Sequence, residues 1–467
     1  MKELRRNMRL IGVLLLCLFL FVAGWFSVTV YTQGSRWITT QYNRRLTTAK
    51  KTVAMGSVTD RNGVTLASTD AEGNRAYAAS PIVRRALSQT VGDPLSMSGT
   101  GVETFHANIL LGLSGSIIDR AWQWVSGEQT RGDDIRLTID SRLSQYIAEQ
   151  FPEGYVGAAA VINYQTGEVL SMVSFPNYDP EQVESRSVVE TAYLNRCLQG
   201  QYAPGSVFKI VTLASALENK TGVSNVLYSC EGSRLFDNVP VTCAGGTVHG
   251  EMSLKQAFMK SCNITFAQLS YELGASTLQK TAEAFGFNDN FQFQDLILYQ
   301  STFPSDISTV GELAWSGVGQ GRVLVTPLHM AMIAGAIGND GLMMKPTLIA
   351  QVSGSSGISR LRTAGGVYRR AVSQSTADVI ADYMYAAVES GTGTRAQVSG
   401  HKICGKTGSA ETSDDKTVPT NAWFVGFVDE PEHPYAVAVV VEEGGSGGDK
   451  AARLGGKTLA KAIELLG

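Results

Sequence analysis

Three short polar stretches carry side chains able to act on one another: Ser206-Val-Phe-Lys209, Ser261-Cys262-Asn263 and Lys406-Thr407-Gly408-Ser409. A serine hydroxyl is a poor nucleophile at neutral pH and needs a base beside it. A lysine amine can serve when burial and a neighbouring positive charge push it towards its neutral form. Ser206 and Lys209 stand three residues apart at the head of an apolar run, FKIVTLASALE. If Ser206 opens a helix there, both side chains share one face, and Gly205 permits a tight entry. Ser261 offers a second hydroxyl to relay protons between nucleophile, lysine and a leaving amine. The Asn263 amide offers a donor and an acceptor to a substrate amide. Lys406, with the hydroxyls of Thr407 and Ser409, suits a terminal carboxylate, and its charge would help depress the pKa of Lys209. On an exposed strand, that backbone can pair with an extended peptide, and Gly408 keeps a Cβ out of the way. The backbone N–H groups of Ser206 and Ser409 are the candidates for an oxyanion hole.

Each stretch alone has an ordinary reading: a helix-start serine with a solvated lysine, or a junction between two helices. A competing pattern also covers the third stretch, because Gly400-x4-Gly405-Lys406-Thr407 formally matches a phosphate-binding P-loop. A P-loop must lead into a helix whose N-terminus faces the phosphate. Here a polar loop follows Lys406, and the rest of the chain alternates like antiparallel strands, so the serine constellation is the better reading. Gly317-Val-Gly-Gln-Gly321 lacks the strand and ribose-binding acid of a dinucleotide site and reads as a turn before the helix TPLHMAMIAGAIG.

The bulk composition narrows the setting. Of the 467 residues 44% are hydrophobic and 17% charged, with a net charge of −3, which gives no nucleic-acid footprint. Leu10 to Val30 contains no charge and is long enough to cross a bilayer. Lys2, Arg5, Arg6 and Arg9 precede it, which places the N-terminus in the cytoplasm and the bulk of the chain outside. The apolar run is longer than that of a cleaved signal peptide and lacks a small-x-small site, so an uncleaved anchor is expected. Among six cysteines, Cys230 and Cys243 could pair outside the cytoplasm or stay as thiols. No CxxC pair or clustered His/Cys spacing occurs, which argues against a structural zinc site. Cys262 and Cys404 flank the proposed cleft and read as packing residues. His401 reads as a surface residue beside a strand.

Residues 35–51 are basic and helix-compatible. MGSVTDRNGVTLAST then carries an Asn62-Gly63 hairpin turn. IRLTID is a short strand, followed by a helix from Ser141 with Leu143, Ile147 and Ala148 on one face. AAAVIN and EVLSMVS form a hairpin around Gln165-Thr166-Gly167. After a helix-rich middle, KICGKTG, AWFVGFV and YAVAVVVEE are three successive strands, and a helix fills 450–466. The expected architecture is an α/β fold whose antiparallel sheet joins both chain ends, with helices packed on it.

With the motifs in place, the chain resembles a class B penicillin-binding protein, a monofunctional peptidoglycan D,D-transpeptidase of the compact-pedestal type. GDDIRLTID, GAAAVINYQTGEVLSMVSFPNYDP, LNRCLQGQYAPGSVFK, GVGQGRVLVTPLHMA and NAWFVGFV all look like landmarks of that family, as does GSVTDRNGVTLA. The resemblance implies the penicillin-binding, serine β-lactamase-like transpeptidase fold. It divides the chain into a cytoplasmic tail (1–9), a transmembrane anchor (10–30), a pedestal (31–150) and a transpeptidase domain (151–467). It makes Ser206 the acylated serine, Lys209 its base, Ser261 the relay and Asn263 the amide holder. Lys406, Thr407, Gly408 and Ser409 become the binding strand. The implied partners are D-alanyl-D-alanine stem peptides on glycan made from lipid-linked precursor, covalently bound β-lactams, and a separate membrane glycan polymerase. No cofactor or metal is implied. Met55 stands where the family commonly has arginine, and Ser409 where threonine is usual. Two other readings stay open: a D,D-carboxypeptidase or β-lactamase of the same fold, and a non-catalytic penicillin-binding sensor or scaffold. No Glu-x-x-x-Asn setting occurs between 264 and 405, which weighs against a class A β-lactamase.

Overall fold

A computed structural model describes residues 2–38, 53–70, 72–113, 131–183, 188–354, 359–362, 365–413, 415 and 417–467. Most of the basic stretch 35–51 lies outside the described residues. Helix α1 (Lys2–Ile38) contains one segment long and apolar enough to cross a membrane, Glu3–Thr29, with a mean hydropathy of 2.6. Phe19, Phe21 and Trp25 on it are about two-thirds exposed.

The N-terminal sheet begins with the expected hairpin, β1 (Val58–Thr59) and β2 (Thr65–Thr69), followed by β3 (Arg75–Tyr77) and β4 (Asp134–Leu137). Gly63 takes a φ of +82°, and the buried Asp60 carboxylate accepts the N–H groups of Asn62 and Val64 at 2.8 and 2.9 Å, which closes the turn. Two strands from much later in the chain, β12 (Ile349–Ser353) and β13 (Ser359–Arg362), complete this sheet in the order β13-β12-β4-β1-β2-β3. It is therefore built from both sides of residue 150.

Helix α2 (Ser141–Gln150) starts at Asp140, whose carboxylate accepts the N–H of Arg142 at 2.9 Å. It buries Leu143 and Ile147. The main sheet is antiparallel throughout, in the order β15-β16-β17-β5-β6. Its strands are β5 (Gly157–Asn163), β6 (Val169–Phe175), β15 (Ile403–Ala410), β16 (Asn421–Val428) and β17 (Tyr435–Val441). These strands read as continuous apolar runs because both faces are covered. Alternation sends Ala159, Val161, Val437 and Val439 into one core with the C-terminal helix (Lys450–Leu466) and α2. It sends Ala158, Ala160, Ala436 and Ala438 into the other, larger core. That second face holds α3 (Lys209–Asn219), α4 (Leu254–Met259), α5 (Asn263–Leu273), α6 (Val310–Gly317), α7 (Pro327–Gly338) and α8 (Gln374–Ser390); the C-terminal helix is α9. Helix α7 is buried along its whole length, which its apolar composition on all sides requires.

Three more short strands and their partner, β7 (Leu227–Cys230), β8 (Ser233–Phe236), β9 (Val239–Thr242) and β10 (Gly250–Ser253), form two small ribbons, β7 with β10 and β8 with β9. They rise between α3 and α4 and were not expected from the sequence. Strands β11 (Leu342–Met344) and β14 (Val367–Arg370) form another ribbon.

Phe424 of β16 is fully buried, and Gly455 of α9 sits so close that a Cβ there would lie 2.2 Å from its ring. Phe424→Ala is expected to destabilise the protein by about 3–5 kcal/mol, read as a lowered denaturation midpoint at unchanged m-value.

Candidate active site

Ser206 lies in a single 3₁₀ turn, Gly205–Phe208, and α3 proper begins at Lys209. Ser206 thus sits in the turn and Lys209 is the first residue of the helix, so the spacing of three places both at the head of α3. The turn is pinned by close backbone contacts. Gly205 has a φ of +55°, its N–H donates to the Gly319 carbonyl at 2.8 Å, and a Cβ on it would lie 2.8 Å from the Ser409 carbonyl. A Cβ on Gly319 would lie 2.1 Å from the Gly205 carbonyl. The Gly-rich turn after α6 is thus the backstop of the serine turn, a role its sequence did not reveal.

Ser261 joins α4 to α5 with a φ of +56°, a costly backbone for a residue with a side chain. That conformation presents two acceptors inward. The Lys209 amine donates to the Ser261 carbonyl at 2.7 Å, to its hydroxyl at 3.2 Å, and to Asn263 Oδ1 at 2.7 Å. The Lys406 amine donates to the same Ser261 hydroxyl at 2.9 Å and to the Thr407 carbonyl at 2.9 Å. Asn263 Nδ2 donates to the Thr242 carbonyl at 2.7 Å, which leaves the amide one N–H to offer outward.

Both lysines are fully buried. Burial disfavours the ammonium form and pushes the Lys209 pKa from 10.5 down to about 7. Lys406 is held well below its ordinary range, first by burial and then by repulsion from Lys209. Of the two expected causes, burial is the leading one at Lys209.

Strand β15 is the edge of the main sheet, and it brings Lys406 to Ser409 alongside the serine turn. Thr407 and Thr392 share a hydroxyl–hydroxyl bond of 2.6 Å, and Ser409 Oγ accepts from the Gly447 N–H at 3.2 Å. Thr392 and the 446–448 loop are neighbours that the sequence did not mark. At Gly408 a Cβ would lie 2.9 Å from the Pro204 carbonyl and 3.0 Å from Val207 Cγ1. Gly408 serves the packing of strand against serine turn. Ser206, Ser261, Asn263, Thr407, Gly408 and Ser409 all line one cleft of about 870 Å³.

Cys404 is buried against α8, where its thiol donates to the Ala381 carbonyl at 3.3 Å, and burial raises its pKa. It does not line the cleft, contrary to expectation. His401 is half-buried, 2.9 Å from Glu430. Cys230 and Cys243 are free thiols with sulfurs 3.6 Å apart.

A serine, two buried amines, a bridging hydroxyl and an amide beside an open strand edge define a serine acyl-transfer site. Comparison with known proteins agrees. The family model for the penicillin binding protein transpeptidase domain matches residues 157–461. Peptidoglycan D,D-transpeptidase PbpA of Mycolicibacterium smegmatis is 32% identical over 79% of this chain and 80% of its own length. Among solved structures, the ceftriaxone acyl-enzyme complex of penicillin-binding protein A from M. tuberculosis superposes with a TM-score of 0.81 at 27% identity, covering 88% of this chain and 99% of that one. The D,D-transpeptidase domain of a peptidoglycan glycosyltransferase from Eggerthella lenta follows with a TM-score of 0.76 at 29% identity, over 89% of this chain and all of that one. The chain belongs to the penicillin-binding protein transpeptidase family, as a class B member.

Gly205→Ala forces a Cβ into both a left-handed backbone and the Ser409 carbonyl. It is expected to slow acylation by a labelled penicillin at least about tenfold, for a displacement costing about 1–3 kcal/mol. The second-order acylation rate constant checks this.

Proposed function

We propose that this protein cross-links peptidoglycan by serine acyl transfer, with Ser206 as the nucleophile. The observation that carries this is the meeting of two buried amines at one hydroxyl, Ser261 Oγ, beside a cleft that Ser206 lines. An extended D-alanyl-D-alanine peptide aligned along β15 would place its terminal carboxylate near Thr407 and Ser409. The Lys406 amine, donating to the Ser261 hydroxyl and the Thr407 carbonyl, holds the strand against the shared hydroxyl beneath that carboxylate. The Asn263 amide takes the peptide amide, and the N–H groups of Ser206 and Ser409 take the developing oxyanion.

In acylation the Ser206 oxygen bonds to the carbonyl carbon and gives its proton to the neutral Lys209 amine. The C–N bond to the last D-alanine then breaks, and that amine leaves with a proton passed through the Ser261 hydroxyl. An amine from a neighbouring stem peptide attacks the acyl-enzyme, restores the serine proton by the reverse path and forms the cross-link. A β-lactam enters the first half of the same cycle and stays on Ser206.

The apolar span of α1 is uncovered among the described residues, which supports a single-pass anchor; Lys2, Arg5, Arg6 and Arg9 support a cytoplasmic N-terminus. The catalytic unit, 151–467, then stands outside the membrane on the 31–150 pedestal, with β12 and β13 reaching back into the pedestal sheet. A separate membrane polymerase would supply its glycan strands.

Ser206→Ala is expected to abolish covalent penicillin labelling, measured by intact mass, while the melting temperature stays within about 2 °C, since a half-buried hydroxyl contributes little stability. A steady hydrolysis of chromogenic β-lactam by the unaltered protein, in place of a single stoichiometric burst, would instead identify a hydrolase.

Because the base must be unprotonated, the acylation rate is expected to rise through about pH 7 and level off above it. Below that point it falls about tenfold per unit. Lys209→Arg, which stays charged, removes both the rate and the inflection.

A further inference from the structure

Just before the first residue of β15, the fold brings His401 together with Glu430 and His433. The donor atoms of the three side chains all lie within 4.8 Å of one another. His401 Nδ1 stands 2.9 Å from Glu430 Oε2, and the two imidazole rings meet edge to face, with centroids 5.6 Å apart and 77° between their planes. A tetrahedral zinc ion with bonds of about 2.0–2.1 Å to nitrogen and oxygen has edges of about 3.4 Å between its donors. That length lies between the shortest separation here and the widest, so side-chain rotation alone can place all three donors on one ion.

We propose that His401, Glu430 and His433 bind a divalent transition-metal ion such as zinc, which clamps the start of β15 to the turn between β16 and β17. Two imidazoles and one carboxylate favour such an ion over magnesium or calcium, which take oxygen donors. The donors are held in place beforehand. Glu430-Pro431-Glu432-His433 is a tight turn, closed by the His433 N–H on the Glu430 carbonyl at 3.0 Å. Proline at its second position has the φ that the turn needs. Glu430 Oε1 accepts the Lys402 N–H at 2.8 Å, the kind of outer contact that orients a ligating carboxylate. His433 Nδ1 is buried without a hydrogen-bond partner, so no bond at that nitrogen commits the ring to another role.

Strand β15 is the edge of the main sheet and pairs there with β16 alone. Its first pair is Ile403 with Val428. Just outside that pair, the Asp429 N–H donates to the Lys402 carbonyl at 2.9 Å, and the Lys402 amine lies 2.6 Å from the Asp429 carboxylate. An ion on His401, Glu430 and His433 closes the same junction one residue further out. It would steady the strand that carries Lys406 to Ser409 without touching the reacting groups. Three protein donors leave at least one position to water, which makes the site open and exchangeable. Along the chain His401 is only a surface residue beside a strand; the pairing of β15 with β16 is what delivers Glu430 and His433 to it.

A second group, Cys230, Cys243, His249 and Cys262, is also close enough to share an ion, so the metal is best read residue by residue. A metal-bound imidazole has no free lone pair, because its other nitrogen carries the proton, and it resists acylation by diethyl pyrocarbonate. The untagged full chain in detergent, stripped with EDTA, is treated with that reagent with and without about 0.1 mM zinc sulfate, and the modified residues are mapped by mass spectrometry. Zinc is expected to lower modification of both His401 and His433 at least about tenfold, and magnesium sulfate to leave it unchanged. Glu430→Gln, which should label with penicillin as before, is expected to cut the protection to below about twofold. Zinc should also slow amide hydrogen exchange over 401–404 in the unaltered protein and not in Glu430→Gln. Three results would each overturn the site: equal modification with and without zinc in protein that still labels with penicillin, protection of one histidine alone, or full protection in Glu430→Gln. Unchanged exchange would overturn the clamp. Penicillin labelling of Ser206 is scored separately, so a failed metal site and a failed acyl-transfer reading give different results.

Discussion

Two lysine amines buried against one serine hydroxyl, with no carboxylate between them, are the constraint around which this protein is organised. Neither Lys209 nor Lys406 forms an ion pair among the described residues, and both donate only to neutral oxygens. An uncompensated buried ammonium costs several kcal/mol or more, and the amines respond by losing affinity for their protons. A carboxylate in the same place would remove the desolvation penalty and with it the base. The unfavourable burial is the source of the chemistry.

Holding that arrangement takes rigid elements on every side. The larger core packs α3, α4, α5 and α8 against a sheet whose alanines let helices approach closely. Ser261 keeps a left-handed backbone because both amines hold its oxygens, and Asn263 is held in turn by Thr242. The serine turn is fixed by three close backbone approaches, from Gly319, Ser409 and Gly408, and each needs a residue without a Cβ at the point of contact. Strand β15 is left as an edge. Its outer side is where a peptide can lie, and the buried face of the same strand carries Lys406 to the amine pair.

Much of this was legible in the chain because local signals agreed with one another. The Asn62-Gly63 hairpin, the β5–β6 hairpin, the three C-terminal strands and the helices from Ser141, Pro327 and Lys450 all appear where periodicity and caps put them. The rest is either weakly patterned or non-local. The ribbons β7–β10 and β8–β9 are short, exposed and weakly patterned, so no periodicity marks them. Strands β12 and β13 join a sheet whose other members lie more than 200 residues earlier, a pairing that no local feature encodes. Gly319 and Gly408 looked like loop punctuation and a substrate clearance; both are contacts between segments distant in sequence.

The sequence by itself determined the identity of the reacting groups: a hydroxyl three residues from an amine, a Ser-x-Asn junction, a Lys-Thr-Gly strand and an apolar N-terminal helix. Residue chemistry and short-range spacing suffice for that, because both are written along the chain. Only the tertiary structure decided that burial is the leading cause tuning Lys209, and that Gly408 also packs the strand against the serine turn. It also decided that His401, Glu430 and His433 converge at the start of β15. Burial and convergence depend on which distant segments come to lie together, and that is settled when the sheet closes.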